Sequence, residues 1–423
     1  MRRSPILRLA AATVASSILV ACGTTDRHDA SPSRTPVAGS DLAAESGSTE
    51  VAGPRPRLVV SDANSGRTDV LDLTSTETIA TFDLAHSAAL TTVNDRYVYA
   101  VSADDSVHIL DPGSWTVEHG DHTHSYTKPP AVLGRLEGVG PARVIAGDRK
   151  VATFFDGLGR ADVTTFDALS DGATDTALSI AVDAPHHGVV VPVGNHFLVS
   201  RSTEDPGESL PDGFELRDSS GEFVSAFDTA CPQMDGTAVF DTHVVVGCDD
   251  GLSIATTDGS GWTSTKIPYP DGITEQTRPT AFRRQDSTPV IAAVAGPPAT
   301  NTGVLTFDSA TTNWTHIVTP DRALDAHLSG DGKTVFAVLA DGTFRVYDSA
   351  TGTEIASRQV LSEPFDATDA SQPTPQISVS GTRAYVTDPS AERIQEIDYR
   401  DGARVARTLN VDFPIASASV VGE

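Results

Sequence analysis

The chain has 423 residues (44.2 kDa), of which 39% are hydrophobic and 21% charged. Its 57 acidic and 30 basic residues give a formal charge of −27, which repels a phosphate backbone and excludes nucleic-acid binding as a main function. The composition, with 34 Gly, 26 Pro and only two Met, favours strands and turns and leaves no thioether-rich site for a soft metal.

Residues 1–21 read as an export signal. Arg2, Arg3 and Arg8 make a basic start, and the apolar stretch 9–20 is shorter than the ~20 residues that span a bilayer. It ends in Leu19-Val20-Ala21-Cys22, which resembles a bacterial lipobox. Cys22 is therefore expected to carry lipid and to hold the chain on the outer face of the cytoplasmic membrane, in the extracytoplasmic or periplasmic space. No second apolar run of 18 residues follows. Residues 22–54 read as a flexible tether, because 23–53 contain no Phe, Tyr, Trp, Ile or Met with which to build a core. His28 in this stretch reads as solvated.

Residues 55–423 read as an all-β domain. Short strand-like runs alternate with turn residues, and one element recurs: an alternating strand closing on Asp, then a Ser/Gly-rich turn. The Asp residues are Asp72, Asp111, Asp167, Asp218, Asp258, Asp308, Asp348 and Asp398. Their mean spacing of about 47 residues fits a four-stranded propeller blade. Eight repeats predict an eight-bladed β-propeller, or seven blades if one repeat is an embellishment. Only three strands are visible between residues 57 and 84, so the strand at 415–421 is expected to join the first blade and close the ring.

Seven histidines fall on segments read as connections from one outer strand to the next inner strand, where propellers usually bind ligands. They are His86, His119, His122, His124, His186, His187 and His327. The densest run is Glu118-His119-Gly120-Asp121-His122-Thr123-His124, read as part of a connection over 119–131. Three imidazoles so close in sequence reach one Zn²⁺-like ion from a bending loop, with Gly120 allowing the bend and Asp121 or Glu118 orienting a ring or adding an oxygen. LAHSAAL, APHHGVVV and DAHLSGDG each set a His just before an inner strand. His86, His187 and His327 are therefore expected to point at the axis from three blades, with His124 as a fourth ligand. His108, His196, His243 and His316 read as structural. Cys231 and Cys248, an even pair in an exported chain, are expected to form a disulfide, with a thiolate zinc site as the alternative.

HGDHTH, PHHG and DAHLSGDG within an exported propeller resemble the AztD family, zinc metallochaperones that serve a zinc ABC transporter and its solute-binding protein. The resemblance runs along the whole propeller, and the His motifs are its specific part. It implies a non-enzymatic protein, expected to be a monomer, that binds Zn²⁺ outside the cytoplasm and passes it to a zinc-specific solute-binding protein. The His-rich loop and the channel-mouth histidines would carry the ion, with either His186 or His187 as a ligand. The competing classes fit less well. A propeller lactonase needs a carboxylate cage for Ca²⁺ and a quinoprotein a Trp stack, whereas Trp115, Trp262 and Trp314 all follow Asp turns at the blade rim. No GxSxG element occurs. A metal-free interaction propeller leaves the histidines without a purpose.

Overall fold

The computed structural model describes residues 45–202, 210–259 and 261–423. The expected export signal, Cys22 and tether residues 22–44 lie outside the described residues. Strands dominate, and among the described residues they form eight four-stranded antiparallel sheets and one three-stranded sheet, a propeller-like arrangement.

Six of the eight four-stranded sheets are built from four consecutive strands, as in Ala323–Leu328, Thr334–Leu339, Thr343–Asp348 and Glu354–Gln359 of the seventh. The first sheet takes one strand from far along the chain. Ile415–Val421 pairs antiparallel with Arg57–Asp62, so that Arg57 faces Val421 and Leu58 faces Val420. The expected pairing of 415–421 with the first repeat is present.

Burial explains the sequence pattern of each strand. Second strands lie between neighbouring sheets and are buried on both faces, with an apolar middle: Arg57–Asp62 is buried at every position and Tyr97–Ser102 at five of six. Outer strands such as Thr78–Asp83 face solvent and mix Thr and Asp with a few apolar residues. The apolar clusters link the sheets in sequence. Val151 and Phe155 of the third sheet pack on Tyr99 and Ile109 of the second, and Leu58 and Val60 of the first pack on Tyr385 and Ile394 of the eighth.

The recurring Asp residues sit at or just after the end of the third strand of every sheet. Their carboxylates accept backbone N–H groups two or three residues on, as Asp72 does from Thr74 and Ser75, and Asp348 from Ala350 and Thr351. In most repeats this is an Asx turn leading into the outer strand, whereas Asp167 lies in the short helix Phe166–Ser170, capped by Thr165.

After Asp111 the pattern departs from expectation. The hairpin Ser114–His119/His122–Thr127 does not supply the outer strand of the second sheet. Ala131–Glu137 does, pairing with Ser106–Asp111. The hairpin is an insertion between the third and fourth strands, and Thr49–Val51 adds to its edge as a third strand. The fold therefore begins before residue 55: Glu45 and Thr49–Val51, expected in the tether, are bound to it.

Candidate metal centre

Strands alternate direction within each sheet, so all connections from an outer strand to the next inner strand lie on one face of the propeller-like body. Turns from a third to a fourth strand lie on the other. The 119–131 segment, expected at the channel mouth with His86 and His187, therefore lies on the opposite face. His327 is not in a connection either. It is the fifth residue of the inner strand Ala323–Leu328, about 13 Å along that strand from its start. The structure does not bring His86, His187, His327 and His124 together as one site.

Each of these histidines has its own local setting. His86 is exposed, with Nε2 3.9 Å from Asp104. His187 lies between Asp156, 2.5 Å from its Nδ1, and Arg143, whose guanidinium donates to Nε2 at 2.9 Å and also pairs with Asp235. A cation at Nε2 would have to displace that guanidinium. His186 is buried, its Nδ1 bonded to the Ala184 carbonyl and its Nε2 to the Ser200 hydroxyl, so it is a structural residue. His327 lines a channel of about 1260 Å³ together with Arg149, Asp241, His243 and Arg284. Burial first, then Arg283, pushes its imidazole down to about 4. Of the histidines read as structural, His243 bonds Ser309 and stacks on Phe240, and His316 bonds Thr302.

The inserted hairpin does bring three imidazoles together. Side chains alternate across a strand, so the i, i+2 spacing of His122 and His124 puts both on one face. Cross-strand pairing sets His119 opposite His122, Val117 opposite His124 and Trp115 opposite Tyr126. Gly120, at a φ of 70°, and Asp121 make the two-residue turn between them. The ring centroids of His119, His122 and His124 stand 5.8, 5.2 and 4.9 Å apart. Three imidazoles bound to one tetrahedral Zn²⁺ through nitrogens at ~2.0–2.1 Å would have centroids about 5 Å apart, so the trio fits the ion. Among the described residues no three such side chains already converge their donor atoms on a point. Rotation of these exposed rings is what closure requires.

Two carboxylates prepare the trio. His122 Nδ1 lies 2.8 Å from Asp121 and His124 Nδ1 lies 2.7 Å from Glu50. With Nδ1–H donated to a carboxylate, the Nε2 lone pair is left for a metal. The hydrogen bond from His122 also holds Asp121 below the usual carboxylate range.

The base of the hairpin is fixed where its tip is open. Trp115 and Tyr126 stack at 5.6 Å, and the Arg96 guanidinium lies 3.9 Å from the Trp115 ring centroid. Arg96 is buried and bonds Asp111 at 2.8 Å and Glu45 at 2.6 and 2.7 Å, while Lys128 lies 2.9 Å from both carboxylates. Burial works against the charge on Asp111, but Arg96 and Lys128 outweigh it and hold the carboxylate below its ordinary range.

Cys231 and Cys248 are joined as the expected disulfide and fully buried, which removes the thiolate alternative. Glu45, Glu50 and Arg143 were invisible to the sequence reading. Glu50 lies 74 residues from His124 in the chain, and no local spacing links them.

No protein-family model matches the chain. The zinc chaperone AztD of Citrobacter koseri is 26% identical over 349 residues, 81% of each chain. The crystal structure of Citrobacter koseri AztD superposes with a TM-score of 0.80 at 23% identity, covering 88% of this chain and 98% of that one. A structure of apo AztD from the same organism gives 0.77, covering 87% and 98%. The chain is thus similar in sequence and fold to a protein named as a chaperone rather than an enzyme, in line with the non-enzymatic reading of its sequence.

Proposed function

We propose, proceeding from that likeness to AztD, that the chain is an extracytoplasmic zinc chaperone on an eight-bladed propeller. Eight four-stranded sheets, apolar clusters linking each to the next, and packing of the eighth against the first support a closed ring of eight. The observation that carries the metal function is the His119–His122–His124 trio at centroid spacings suited to one tetrahedral ion. His122 and His124, oriented by Asp121 and Glu50, and His119 opposite them bind Zn²⁺ through three nitrogens, leaving a fourth position open. An open fourth position on an exposed tip suits a carrier, because a receiving protein can enter the coordination shell before the donor lets go. The receiver is the zinc-specific solute-binding protein of an ABC transporter. Lipid on Cys22 keeps the carrier, a monomer, at the membrane surface.

The test is a Zn²⁺ titration of the exported chain against a chelating dye, beside the triple variant His119→Ala, His122→Ala, His124→Ala. One ion competing with the dye in the parent and none at comparable strength in the variant is the expected result. Unchanged competition in the variant would move the site elsewhere, and the first place to look would be His187 or His327.

A further inference from the structure

The three imidazoles are not served by the hairpin alone. One of the two orienting carboxylates, Glu50, belongs to the short strand Thr49–Val51, which pairs only with the hairpin's outer edge: Thr49 with Thr127, Glu50 with Tyr126, Val51 with Ser125. Direct pairing with Tyr126 puts Glu50 on the hairpin face that also carries His124, two residues earlier, and the 2.7 Å contact to Nδ1 follows. A three-residue edge strand has little stability of its own. What holds it lies four residues before its start: Glu45 is 11% exposed and bonds the buried Arg96 through both oxygens, with Lys128 as a second partner.

We propose that Glu50 is a positioning residue of the zinc site and that its strand, latched by Glu45, is a separable part setting the zinc affinity. This rests on the hairpin reading of the site. With the strand docked, Glu50 accepts Nδ1–H and holds His124 as the tautomer whose Nε2 is free for the ion. With the strand away, that imidazole loses its orienting acceptor and reverts to a mixture of tautomers. Glu50 remains 58% exposed, so its effect belongs at the lower end of the 10- to 100-fold range seen when such carboxylates are removed. Residues 45–51 are the part of the stretch 22–54, expected from the sequence as a tether, that is bound to the fold, and residues 22–44 of that stretch precede them. Whatever pulls on the tether, or binds the hairpin edge in place of the strand, therefore changes how tightly zinc is held.

Three variants of the full exported chain test this: Glu50→Ala, Glu50→Asp and Glu45→Ala. Long-range ¹H–¹⁵N spectra of the metal-free protein read the tautomer of His124 directly. The parent should show the Nδ1–H form and Glu50→Ala a shift toward Nε2–H. Zinc affinity should fall about tenfold in Glu50→Ala. Glu45→Ala should share both effects, and Glu50→Asp should recover part of each. If the triple histidine variant loses zinc while Glu50→Ala leaves tautomer and affinity unchanged, the hairpin site stands and the role of Glu50 is overturned. If the triple variant binds zinc normally, the hairpin reading itself fails, whatever Glu50 does to the tautomer.

Discussion

His327 shows how far one side chain's surroundings can depart from what its neighbours in sequence imply. DAHLSGDG reads as setting His327 at the end of a connection, just before an inner strand, yet Asp325, His327 and Leu328 already belong to that strand. Burial and Arg283 lower the imidazole to about 4, and Asp325 only partly opposes them. In the unfolded chain a histidine titrates near ~6.5, so below that pH the unfolded state binds a proton that the folded state refuses. The stability tied to this residue is therefore intact above about pH 6.5 and is lost progressively toward pH 4, by up to about 3 kcal/mol. His327→Gln should flatten that part of the acid limb in urea unfolding followed from pH 7 to pH 4.5. An unchanged slope would mean that other groups carry the whole acid dependence. The hairpin histidines were legible as a trio from their closeness in sequence, although the run reads as a bending loop and the strand alternation that sets His122 and His124 on one face appears only in the fold. The choice between His186 and His187 was not, since only the fold shows which ring is bonded at both nitrogens to Ala184 and Ser200.

Among elements, the Asp turns were the most legible because their chemistry is local: a carboxylate bonded to amides two or three residues on needs nothing from the rest of the chain. The hairpin was misplaced for the same reason. Asp111 makes the same turn as Asp72, Asp218, Asp308, Asp348 and Asp398, so the strand after it reads as the outer strand, but that place goes to Ala131–Glu137. Nothing between 112 and 130 announces an insertion, since Trp115 and Tyr126 are as strand-like as any outer-strand residue. The disulfide was legible from the cysteine count alone. It closes a separation of 17 residues between the connection into the fifth sheet and that sheet's second strand. Replacing Cys231 and Cys248 together by Ser should lower unfolding stability by about 3 kcal/mol, measured by chemical denaturation beside the oxidised parent. Zinc binding on the hairpin should be unaffected, because the two features share no residue.

At the scale of the whole molecule, the pairing of Ile415–Val421 with Arg57–Asp62 brings a strand that follows the eighth sheet into the first. Without it the first sheet would keep a bare inner edge, and Ile415, Ala418 and Val420 would leave the cluster that binds the first sheet to the eighth. Removing residues 412–423 should therefore abolish a single cooperative unfolding transition and drive the protein into aggregates, as read by calorimetry and light scattering. A monomeric, cooperatively folded truncation would show that the other sheet interfaces suffice. The order of the sheets was legible from the repeat period. The face on which each histidine lies was not, because it depends on counting strands correctly through the insertion.

That pairing also sets a schedule. Arg57 leaves the ribosome more than 350 residues before its partner Val421, and on an export route it reaches the far side of the membrane first by the same margin. The thermodynamic penalty of joining such distant segments is small, growing by only about 0.6 kcal/mol for each doubling of the intervening length. The wait is long, however, and the strand Arg57–Asp62 spends it with one edge bare and its apolar side chains half covered. A chain cut short never receives the missing strand, so it stays recognisable to proteases as unfinished. Only a chain completed to its last strand can put the seam beyond their reach.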